Sequence, residues 1–144
     1  MFGAVRNHGD IHAVGDGSVT FDESVINIGN GMDIQSGNFS APIPGYYYFS
    51  FSGTAYDPDS YLDVVVCIYK NGEILYTIQD FNGSKGDGQN HITNSNTQYR
   101  NLAHTWITKL QKNDIIHLDV LYGSLSTGYD KMVTFTGELI LKSE

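Results

Sequence analysis

Gly37-Asn38-Phe39-Ser40-Ala41-Pro42-Ile43-Pro44-Gly45-Tyr46-Tyr47-Tyr48-Phe49-Ser50-Phe51 joins a turn to a long aromatic strand in a single short stretch. Pro42 and Pro44 lack the N–H that a central ladder needs and fix φ, so the chain bends there and pairing starts at Gly45. From Tyr46 to Phe51 successive side chains take opposite faces. Tyr47, Phe49 and Phe51 fall together on the predicted core face, while Tyr46, Tyr48 and Ser50 point the other way.

The same short alternating runs, separated by Gly, Asn and Asp, recur outward in both directions, and amphipathic helical spacing is absent. The pattern predicts an all-β chain with strands near Phe2–Asn7, Val19–Phe21, Val25–Asn27, Asn38–Ala41, Tyr46–Tyr56, Tyr61–Tyr69, Ile74–Gln79, Leu102–Leu110, Ile115–Tyr122 and Lys131–Leu141. Ten strands of this kind make a sandwich or jelly roll. Asn71-Gly72 is the strongest hairpin signal, because both residues tolerate the positive φ of a type I′ turn. Ile116, Leu118, Val120 and Tyr122 share one predicted face of their strand, as do Val133, Phe135, Leu139 and Leu141 of the last. Gly137 interrupts that last strand, which predicts a bulge or close packing of a neighbouring side chain.

A chain of 144 residues fits one domain, 1–144, with a core large enough to need no metal or disulfide. Sixteen Asp and Glu face eight Lys and Arg, and the net charge of −8 opposes binding to nucleic-acid phosphates or anionic membranes. Cys67 lies in the apolar run Val64–Tyr69 and reads as a small buried hydrophobe rather than a reactive thiol. The sequence shows neither a signal-peptide pattern nor an apolar run long enough to insert in a membrane. Gly-x-Ser-x-Gly, His-Glu-x-x-His, Cys-x-x-Cys and phosphate-binding glycine loops are all missing, so the expectation is a non-enzyme with no catalytic residues. His8 and His12 would share a helix face, but their segment reads as extended and leaves them solvated.

Polar loops carry the remaining chemistry. Asp57 and Asp59 flank Pro58 between Tyr56 and Tyr61, a combination in which carboxylates accept hydroxyl hydrogen bonds and aromatic rings cover apolar sugar faces. Tyr129 and Asp130 repeat it. The Asp-Pro-Asp triplet also makes an ordinary turn. The segment from Asp80 to Tyr99 is too long for a hairpin and points to function or flexibility. Asn82-Gly83-Ser84 within it is a glycosylation acceptor, better placed than Asn38-Phe39-Ser40 beside a strand. Tyr46 and Tyr48 predict a subunit or sheet contact, since a lone sandwich would leave them as an exposed aromatic patch.

These residues also carry a resemblance. Phe21, Asn27, Phe39, Gly45, Tyr47, Phe49 and Phe51 fall at the spacings of the globular C1q domain signature, with Met32 at a position where the family has another large apolar residue. Phe2–Arg6 resembles the family's opening strand, Leu110–Asp114 its Leu-x-x-Gly-Asp turn, and Val133–Leu141 its closing strand. Asn113 replaces the usual Gly and tolerates the same left-handed backbone. The resemblance implies a ten-stranded jelly roll of the tumour-necrosis-factor type, homotrimeric and secreted. Many members follow a collagen stalk, and no Gly-x-y repeat occurs in residues 1–144.

Several relatives bind calcium through two Asp residues. Their positions map onto Asp80 and onto Arg100, whose guanidinium repels a cation, so calcium here needs Asp87 instead. The resulting expectation is a secreted, extracellular pattern-recognition protein of innate immunity. It binds carbohydrate or microbial surface ligands multivalently as a lectin-like trimer, with ligand residues Tyr56, Asp57, Asp59, Tyr61, Tyr129 and Asp130. The alternative is a signalling or adhesion ligand for a receptor ectodomain.

Overall fold

The computed structural model describes residues 1–13, 17–56, 64–80, 99–128 and 131–143, and for Tyr56, Asp80 and Tyr99 the backbone alone. The strands are β1 (Phe2–Arg6), β2 (Ile11–His12), β3 (Glu23–Asn27), β4 (Met32–Asp33), β5 (Asn38–Ser40), β6 (Gly45–Tyr56), β7 (Val64–Lys70), β8 (Glu73–Asp80), β9 (Tyr99–Leu110), β10 (Ile115–Tyr122), β11 (Ser124–Leu125) and β12 (Val133–Lys142). They build a seven-stranded and a five-stranded sheet, packed as two antiparallel layers.

The aromatic strand β6 organises the larger sheet. One edge pairs with β9 along its whole length, from Gly45↔Leu110 to Tyr56↔Tyr99. The other is shared by β12, from Lys142↔Gly45 to Thr134↔Ser52, and then by β11 at Leu125↔Ala55. Beyond β12 the order continues through β1 to β3 at the rim, and β2 pairs with β11. The smaller sheet runs β4-β5-β10-β7-β8. The β7–β8 hairpin turns through Asn71 (φ 52°) and Gly72 (φ 84°), the left-handed pair that a type I′ turn requires. Asn113 likewise adopts φ 71°.

Between the layers lies an aromatic core. Tyr47, Phe49 and Phe51 are buried, as their alternation predicts. Phe2 stacks on Phe39 at 4.8 Å, Phe49 stacks on Trp106 at 5.2 Å and on Phe135 at 5.9 Å. The Tyr47 hydroxyl escapes isolation by donating to the Ile43 carbonyl at 2.6 Å, which also fixes the proline turn against the strand. Gly137 is the packing alternative rather than a bulge: an added Cβ would stand 2.5 Å from Phe2 Cε1 and 2.8 Å from Phe49 Cδ1. Cys67 is buried.

Four expectations need correction. Val19–Phe21 forms no ladder: Val19 donates to Leu118 on β10 while Phe21 donates to Ile34, so the extended segment changes partner within three residues. The two-residue strands β2, β4 and β11 add to the expected ten. Leu141 leaves the core face, because the register shifts between Leu139 and Leu141, and it is 62% exposed. Tyr122 is 53% exposed for the same reason, a shift between Val120 and Tyr122.

Candidate functional site

Every side chain that β6 turns away from the core lands on the outer face of the seven-stranded sheet. Tyr48 sits between Ile107 of β9 and Glu138 of β12, Ser50 between Thr105 and Thr136, and Ser52 between Ala103 and Thr134. Gly3 and Val5 continue these rows on β1, and Ile26 and Glu23 on β3. The centre of the face is therefore small and flat: Ser52 and Thr134 hydrogen-bond to each other, and Gly3 adds no side chain. Its rim is apolar and open to solvent, with Val25, Ile107 and Ile140 each more than half exposed. Met1, Gly3, Val5, Val25, Ile26 and Tyr48 line a recess of about 360 Å³ there. Tyr46 and Tyr48, predicted for a subunit contact, both lie on this face, Tyr46 with Lys109 Nζ 5.7 Å from its ring centroid.

A second surface lies at one end of the sandwich. β6, β8 and β10 finish and β7 and β9 begin at the pairings Tyr56↔Tyr99, Val64↔Asp80 and Tyr122↔Val65. The backbone positions of Tyr56 and Asp80 are thus at this end. Asp57, Asp59, Tyr61, Asn82, Asp87, Tyr129 and Asp130 lie outside the described residues. Arg100 pairs with Ala55 at the start of β9. Among the described residues no group of three or more His, Cys, Asp or Glu side chains is placed to hold a metal ion.

Described side chains at the same end are polar and tied down. His12 Nδ1 and Ser124 Oγ are 2.9 Å apart, Thr54 donates to Asn101 at 3.2 Å, and Asp10 Oδ1 accepts from the Thr127 N–H at 2.8 Å. Leu121 and Tyr122 break this pattern by standing exposed side by side at the end of β10. The β10 alternation concealed Tyr122, since a register shift leaves no mark in the sequence.

His117, on the outer face of the smaller sheet, shares its Nδ1 between Asp119 Oδ1 at 3.1 Å and Ser18 Oγ at 3.3 Å and stacks flat on Tyr69 at 4.9 Å. Burial, and then the Cys67 thiol and the Asp119 carboxylate, push the Tyr69 phenol above its ordinary value. His104 and Trp106, at the flank between β8 and β9, hold buried polar atoms of another kind: His104 Nε2 and Trp106 Nε1 find no hydrogen-bond partner among the described residues.

Two antiparallel sheets in this order, with a bare outer face on the larger one, define the jelly-roll class shared by C1q heads and tumour-necrosis-factor-like ligands. The zebrafish complement 1qA globular domain superposes with a TM-score of 0.72 over 99% of this chain and 98% of its own, at 17% identity. Murine APRIL does so at 0.62 and 14% identity, over 99% of this chain and 98% of its own. The C1q domain family model matches residues 2–140, and the chain belongs to that family. It is 26% identical over 128 residues to human complement C1q tumor necrosis factor-related protein 3, covering 88% of this chain and 46% of that protein. The mouse form is 28% identical over the same lengths. The chain thus spans about half the length of the curated relatives it matches.

Proposed function

We propose that this C1q domain is an extracellular recognition head, one module over residues 1–144, that assembles as a homotrimer and binds carbohydrate or other repeated microbial-surface ligands through its loop end. The observation that carries the reading is the outer face of the seven-stranded sheet. Exposed Val25, Ile26 and Ile107 with half-buried Tyr48 surround a small, flat centre, a pattern that suits burial against another copy and is costly to leave in water. Three weak sites held at fixed spacing raise avidity on a repetitive surface without improving any single contact. Family membership supports recognition rather than catalysis as the task.

A second reading has its own support. Exposed Leu121 and Tyr122 at the loop end suit a protein partner better than a sugar hydroxyl, which favours a receptor ectodomain as the ligand. A glycan array probed with and without calcium decides between the two. Binding to at least one neutral polysaccharide is expected, and its dependence on calcium reports whether Asp80 and Asp87 serve a cation. Silence on every polysaccharide, alongside tight binding to a receptor ectodomain, rejects the lectin reading.

A further inference from the structure

The cations among the described residues are sorted by position. Toward the loop end, Arg6 donates to Thr20 Oγ1 and to the carbonyls of Gly9, Asp10 and Thr20, and Arg100 and Lys131 are also engaged. The opposite end, where β7, β9 and β12 finish, carries Lys70, Lys109, Lys112 and Lys142. Gly45 faces Leu110 on one side and Lys142 on the other, so the ends of β9 and β12 stand two strand spacings apart, about 10 Å. Lys70 crosses from the other layer and donates to the Lys109 carbonyl at 3.3 Å. The lysines therefore span both sheets.

Lys70 is held 3.8 Å from the Asp114 carboxylate, whereas Lys109, Lys112 and Lys142 make no ion pair with the described residues. Across residues 41–46, 69–75, 109–115 and 141–143, which form this end, Glu73 and Asp114 are the acidic side chains. A net charge of −8 argues against polyanions only where the whole molecule acts as one charge. At physiological ionic strength charges are screened beyond about 8 Å. The ten residues of β12 alone separate its two ends by about 33 Å. Acidic groups at the loop end thus do not cancel the field at this one.

We propose that this end binds a sulfated polysaccharide, with Lys109, Lys112 and Lys142 contacting sulfate groups. Ammonium groups act as point charges that meet successive esters along a chain, and a linear polymer follows the rim they mark across both layers. A flat bilayer would press the exposed Glu73 against its own negative charge. The strength of the interaction, though not its existence, rests on the trimer proposed above.

The whole chain passed over immobilised dextran sulfate at 50 mM salt is expected to bind, and to weaken roughly tenfold or more by 200 mM as released counterions oppose it. K112E/K142E, which leaves Lys109 and the face around Tyr46 alone, is expected to bind at least about tenfold more weakly, with circular dichroism and light scattering unchanged. No binding at 50 mM salt, or equal binding by the variant, overturns the proposal. Tighter binding to phosphatidylserine vesicles than to dextran sulfate overturns it too, and assigns the lysines to membranes. A protein that scatters as a monomer yet still binds dextran sulfate rejects the trimer and keeps this inference.

Discussion

Gly137 and Asp114 show how single positions constrain this fold. The core leaves no room for a methyl group at Gly137, where Phe2 and Phe49 close over the backbone. Gly137→Ala is expected to cost about 1–3 kcal/mol by overpacking, read as a lowered denaturation midpoint; an unchanged midpoint would mean the rings yield freely. Asp114 works by charge. Burial alone would raise its pKa, but hydrogen bonds from Asn71 Nδ2 and the Gln111 N–H and the nearby Lys70 ammonium outweigh burial and hold it below the usual carboxylate range. A folded pKa below the unfolded value, about 3.9, gives stability that is present above that pH and lost as pH falls through the folded value. Unfolding free energy should therefore drop below about pH 4. Asp114→Asn should lose about 1–2 kcal/mol at pH 7 and flatten part of that acid limb. Full stability of the variant at pH 7 would dismiss the network.

At the scale of the strand, alternation carried most of the fold into the sequence, and its failures are local. Gly37–Phe51 announced a proline turn and a two-faced strand, and β6 delivers both. Asn71-Gly72 announced the β7–β8 hairpin. Leu141 and Tyr122 were misread because a bulge inverts every later side chain while leaving composition untouched. β2, β4 and β11, of two residues each, are too short to show a period at all. The candidate ligand residues were named from composition in segments without periodicity, so nothing in the strand pattern could place them. The outer face of the larger sheet was legible through Tyr46 and Tyr48, but Val25 and Ile26 were not, since the pattern there did not say which side was buried. If that face joins subunits, Val25→Asp with Ile26→Asp should leave far-ultraviolet circular dichroism intact and shift light scattering from trimer to monomer. A variant that remains trimeric would move the contact elsewhere.

For the whole molecule, the proposals above divide the labour between the two ends, with lysines at one, polar loops at the other, and the proposed subunit face between. Asp57→Ala together with Asp59→Ala should then weaken glycan binding at least about tenfold, the effect of losing roughly 1.4 kcal/mol of contact, while oligomer size and dextran sulfate binding stay the same. Unchanged glycan binding would remove these aspartates from the site. The position of β12 has a consequence for how the protein is made. The last strand of the chain lies between β1 and β6, pairing Gly137 with both Phe2 and Phe49. Until it leaves the ribosome, the larger sheet is two unjoined halves, each with an unpaired edge. Translation at about 5–20 residues per second takes roughly 7 to 29 seconds over these 144 residues. Once β6 is made and until β12 follows, the nascent polypeptide carries Phe2, Phe39, Tyr47, Phe49 and Phe51 without the strand that joins their two halves of the sheet, which disfavours folding during synthesis and favours chaperone binding.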